Sequence, residues 1–99
     1  MKHISESEFR ELCQAVFENA DSTIEESSLL RQLLILTRHK IGHPRPGTGF
    51  FATESELSEG LKNEIADLLV TGGVAVFDAR KILNEFLVKL RKTRGEQVS

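Results

Sequence analysis

The chain has 99 residues, 39% of them hydrophobic and 28% charged, with a formal net charge of −2. That is room for one globular domain with a modest core. No apolar run exceeds four residues, against the ~20 a membrane span needs, and a slightly acidic balance does not suit nucleic acid.

The N-terminal Met-Lys-His-Ile-Ser-Glu lacks the apolar stretch of a signal peptide, and the single cysteine, Cys13, has no partner for an internal disulfide. A cytoplasmic setting is therefore expected. The net charge conceals alternating blocks. Residues 1–26 and 53–78 are acidic, whereas 27–52 and 79–99 are basic, with Arg31, Arg38, Lys40 and Arg45 unopposed by any acid in the second block. Acids favour helix starts and bases favour helix ends, because of the unpaired N–H and C=O groups there. An antiparallel helix hairpin would also set an acidic start beside a basic end. Charge blocks of this kind need no nucleic acid to explain them.

The first helix is announced by Ser5 and Glu8, the S-x-x-E spacing of a capping box, with Ile4 placed to staple onto Phe9. Phe9, Leu12, Cys13, Val16 and Phe17 follow at helical spacing, so Cys13 is expected to be a small buried hydrophobe. A second helix is predicted to start near Ser22 or Thr23, each with a glutamate three residues on, and to end at Ile41–Gly42. Its Leu29, Leu30, Leu33, Leu34, Ile35 and Leu36 cover more than one face. Such a helix sits centrally in a core or presents apolar side chains to a partner.

Residues 42–53 hold two prolines and three glycines, which forbid a long helix. Phe50 and Phe51 stand at the end of this segment, where an exposed aromatic would make a binding anchor; plugging the end of the bundle is the alternative. Thr53 and Glu56 form another capping box, and Leu57, Leu61, Ile65, Leu68 and Leu69 give a stripe that stops at Gly72–Gly73. The last helix is predicted from about Val76 to Arg94, with Val76, Ala79, Leu83, Phe86, Leu87 and Leu90 on one face and Gly95 as the stop.

Chemistry-bearing patterns are sparse. His39 and His43 lack a nearby acid or thiol and do not read as a metal site. No nucleophile–base arrangement, phosphate-cradling loop or zinc spacing is present, and Gly47-Thr-Gly49 is too short a fragment to hold a phosphate. No catalytic residue, cofactor or metal is expected. A non-enzymatic protein-binding domain is the expectation.

The order of features resembles the small immunity proteins that neutralise nuclease colicins and S-type pyocins. Ser5-Glu-Ser-Glu-Phe9 looks like the family's first element, and Asn19-Ala-Asp21 like its first inter-helix turn. His43-Pro44 with Gly47 is similar to its His-Pro turn, and Phe50-Phe51 fall where it carries a tyrosine pair. Ser58-Glu-Gly60-Leu61 resembles the start of its last helix, with the spacing to Ile65, Leu68, Gly73 and Phe77 also matching. The resemblance covers about residues 4–77 of a single domain and leaves 78–99 as an extra C-terminal helix and tail.

It implies an all-α fold, an antiparallel four-helix bundle of the immunity type with a short or irregular third segment and an extended C-terminal helix. The implied partner is a cognate bacteriocin toxin domain. Phe50 and Phe51 would be its anchors, with Thr48 near the place of a preceding acid, and Ser27, Arg31, Leu34 and Arg38 would form an outward specificity line on helix two. Those four positions do fall on one helical row. The line is basic where the family is usually acidic, which implies a less basic toxin domain or a different partner. A homodimeric helical adaptor, associating through helix two and the C-terminal helix, is the alternative.

Overall fold

The structure, a computed structural model, describes residues 3–21, 23–42, 53–71 and 76–95. Thr48, Phe50 and Phe51 lie outside them, as do His43 and Gly72–Gly73. The described residues form four helices and no strand: α1 Glu6–Phe17, α2 Glu26–Ile41, α3 Glu54–Thr71 and α4 Ala79–Thr93. The chain is an all-α four-helix bundle, as its helical periodicities require.

Each helix begins for a local reason, except one. At α1 the capping box is complete: Glu8 N–H donates to Ser5 Oγ at 3.1 Å and Ser5 N–H to Glu8 Oε1 at 3.1 Å. Glu56 N–H donates to Thr53 Oγ1 at the start of α3. At α4 the cap is Asp78, which accepts from Lys81 N–H, so the helix starts three residues later than its apolar spacing predicts. Val76 is 94% exposed and belongs to no core stripe.

The exception is α2, which starts at Glu26 rather than at Ser22 or Thr23. The hydroxyl and amide of Thr23 both donate to Asp21 Oδ1, at 2.9 Å each. That local turn removes Thr23 as a cap, and Glu25, the N-cap residue, makes no side-chain cap bond. At its other end α2 closes on Gly42 in the left-handed conformation, φ 73°, which glycine adopts without steric cost.

The core draws on all four helices. Phe9, Cys13, Val16 and Phe17 come from α1; Leu29, Leu30, Leu33, Leu34 and Ile41 from α2; Leu61, Ile65 and Leu69 from α3; Ala79, Ile82, Leu83, Phe86, Leu87 and Leu90 from α4. Ile4 is buried with them. Each fully buried Leu, Ile or Phe contributes about 1.5–3 kcal/mol relative to an exposed one. The C-terminal helix is thus an integral quarter of the bundle, its apolar row consumed internally. It is not an appended segment outside the core.

Helix directions follow from the polar contacts. Lys40 near the end of α2 pairs with Glu8 near the start of α1, so α1 and α2 are antiparallel. At the opposite end, Glu26 starts α2 and meets Arg91 near the end of α4. Ser27 meets Glu54, and eleven residues later Arg38 meets Glu64. α2 and α3 therefore lie side by side in the same direction, against the expected antiparallel neighbours. α1 and α4 are likewise parallel, with Phe9 against Phe77 and Phe17 against Phe86.

The chain between Gly42 and Thr53 accordingly joins opposite ends of the bundle. α2 spans about 24 Å at ~1.5 Å per residue, and eleven residues reach at most about 40 Å extended. A tight turn would not suffice.

Candidate functional site

α2 packs on α1 along one flank and on α3 along the other, so its buried arc is wider than a single stripe. Ser27, Leu34 and Arg38, three members of the expected outward line, are buried; only Arg31 of the four is exposed. The seam with α3 takes Ser27 and Arg38. Ser27 donates to both oxygens of Glu54, from its amide at 2.9 Å and its hydroxyl at 2.7 Å. Arg38, 8% exposed, donates from Nη2 to Glu64 Oε1 at 3.0 Å, while its Nε is buried without a partner. These polar side chains face inward because carboxylates 26 and 27 residues further along the chain meet them. Spacing within α2 alone carries no sign of that.

The face α2 does turn to solvent is rotated from the expected line. Ser28, Arg31, Gln32, Ile35, Leu36 and His39 are all exposed and fall on one arc, since successive residues advance ~100° around a helix. Ile35 is 46% and Leu36 40% exposed, among the few large hydrophobic side chains so presented. Ser27, Ser28, Arg31, Gln32 and Ile35 line a shallow depression at one edge of this strip. The side chains of Arg31 and His39 have no hydrogen-bond or ion-pair partner among the described residues. The aliphatic excess of α2 signals such a strip in the sequence; which leucines and isoleucine form it depends on where α1 and α3 pack.

At the end of the bundle where α2 and α3 both start, the parallel arrangement brings two acidic helix starts together. Glu54 of α3 caps α2 through Ser27, the service no local residue performs. Burial pushes the Glu54 carboxyl up, but hydrogen bonds from the Ser27 hydroxyl and amide, from Glu25 and from Ser58 outweigh it and leave it below the usual range. Glu25 moves the other way: its hydrogen bond with Glu54 and the repulsion between the two charges raise its pKa. The basic end of α4 offsets this acidity. Arg91 forms a two-pronged bond to Glu26, 2.7 Å for each oxygen, and Arg94 donates to Asp21 O at 2.8 Å. The sequence's charge blocks are thus reconciled through α4 rather than through an α2–α3 hairpin.

Elsewhere polar groups are tied into the bundle. Lys62 is buried but donates to Glu59 at 2.6 Å and to Asn84 at 3.1 Å; Thr37 is satisfied by Leu33 O. Cys13 is fully buried, and desolvation pushes its thiol up to about 12, so it is protonated at neutral pH and is no nucleophile. Among the described residues, no group of three or more His, Cys, Asp or Glu is placed to hold a metal ion. No described helix is long and apolar enough to cross a membrane.

With this geometry in hand, comparison with protein-family models, with curated proteins and with solved structures found no match.

Proposed function

We propose that this chain is a protein-binding domain of the immunity type, which neutralises a cognate bacteriocin toxin domain by occupying its surface. One observation carries the reading: the bundle buries its apolar core and turns Ile35, Leu36 and Arg31, which has no partner among the described residues, to solvent on one helix face. An arginine, a residue enriched in hot spots, beside exposed aliphatic side chains on a rigid element can anchor a partner. The ordered resemblance of residues 4–77 to the immunity family supplies the partner class. In this proposal the strip of α2, rather than the row through Ser27, Leu34 and Arg38, selects the partner, and Phe50 and Phe51 are its anchors in the segment outside the described residues. Inhibition needs no chemistry from this chain. It requires a preorganised surface that blocks the toxin.

The test is co-expression with any toxin domain that a gene neighbouring this chain's encodes, followed by calorimetry on the purified pair. A one-to-one complex that abolishes toxicity is expected. The double variant Ile35→Asp/Leu36→Asp should weaken it by about 2–4 kcal/mol while circular dichroism stays unchanged. Toxicity that persists at saturating levels of this protein would remove the immunity reading.

A further inference from the structure

The sign of charge around the α2 strip says what kind of surface it fits. Four bases lie on α2, Arg31, Arg38, His39 and Lys40 counted together, and the strip from Ser28 to His39 contains no acid. The bundle neutralises two of them: Arg38 by Glu64 at 3.0 Å and Lys40 by Glu8 at 3.5 Å. The two left without a partner among the described residues, Arg31 and His39, stand one helical turn on either side of Ile35. The aliphatic centre is therefore bracketed by the helix's unneutralised basic side chains.

We infer that the α2 strip recognises a protein surface with an aliphatic centre and an acidic rim, its carboxylates meeting Arg31 and His39. The inference rests on the protein-binding reading above and adds the chemistry of the partner. The α2 strip of a second copy of this chain does not meet the requirement. Two strips packed about a two-fold axis at Ile35 would set Arg31 of each copy against His39 of the other and supply neither guanidinium with a carboxylate. An arginine to carboxylate pair, by contrast, is planar and two-pronged, and sets register as well as attraction.

The preference can be read without knowing the natural partner. Two short helical peptides share one leucine face, flanked in one by glutamates and in the other by lysines, and each is titrated into the isotope-labelled full chain. The glutamate peptide is expected to shift the amides of residues 28–39 selectively. Its affinity should fall at least about tenfold between ~0.05 and ~0.5 M salt, and Arg31→Glu should abolish binding without loss of helicity. Equal binding of both peptides, binding of neither, or shifts centred on α3 or α4 would overturn the inference. Shifts at 28–39 that grow with protein concentration alone would assign the strip to a second copy and overturn it too. Failure here beside successful toxin protection leaves the immunity reading intact. Success here beside failed protection keeps the acidic partner and removes the toxin.

Discussion

Arg31 and Arg38 lie on the same row of α2, seven residues apart, and the fold treats them oppositely. Arg38 is held in the seam with α3 by Glu64 and is almost wholly buried, whereas Arg31 stands in solvent beside Ile35 without a partner among the described residues. The two faces of the helix do different work. Toward α3, polar groups are desolvated, and Ser27 and the Nη2 of Arg38 are each met by a carboxylate from the neighbouring helix. Toward solvent, no polar partner among the described residues engages Arg31, and the exposed parts of Ile35 and Leu36 are available to a partner. Identity and spacing do not separate the two arginines; the position of α3 does.

The largest test of this contrast lies beneath both faces. Leu33→Ala removes a fully buried leucine shared by all the packing of α2 and should cost about 3 kcal/mol, read as a drop in urea midpoint at unchanged m-value. The comparison itself is sharpened by a matched pair. Glu64→Ala strands the buried Arg38 guanidinium and should cost about 2 kcal/mol; Arg31→Ala should change stability by less than about 0.5 kcal/mol. Equal effects of the two would erase the distinction between seam and strip.

The smallest effect is the one whose sign is most informative. Glu25 has a raised folded pKa, so the fold holds its proton more tightly than the unfolded chain does. Its contribution is present at acid pH and lost as pH rises through that folded value. Glu8, Asp21 and Glu59 have lowered values, owing first to hydrogen bonds from the Ser5 amide, the Thr23 amide and the Lys62 ammonium respectively. Their contributions are present above the carboxylate range and lost as pH falls through the folded values. Glu25→Gln keeps a donor toward Glu54 without a second negative charge. It should raise the melting temperature slightly near neutral pH, and the gain should vanish below the carboxylate range, where Glu25 is itself protonated. A gain independent of pH would mean that charge is not its cause.

What the sequence discloses and what it withholds divide along the range of the interactions. The Ser5–Glu8 capping box, the Gly42 stop and the apolar row Phe9, Cys13, Val16, Phe17 are local, and each appears in the structure where spacing puts it. The start of α2 is not local: Thr23 is diverted to Asp21 and the cap arrives from Glu54, 27 residues ahead of Ser27. The same distance hides the direction of α3. The stretch between α2 and α3 is long enough to permit either direction, and only the pairs Ser27–Glu54 and Arg38–Glu64 decide it. For that reason the exposed face of α2 lies about one helical position from the row Ser27, Arg31, Leu34 and Arg38, since a helix with two flanking neighbours buries more of its circumference than its own leucines suggest.

The buried thiol of Cys13 has a practical corollary. It sits at the centre of α1's apolar row with its proton tightly held, and the chain has no other cysteine. A thiol-specific reagent in solution can reach it only while the helices have separated, so the pace of its modification would clock how often the bundle comes apart. The protein thus carries its own tracer for spontaneous opening, and a bound partner that clamps the bundle would register as a slowing of that clock without any label being introduced.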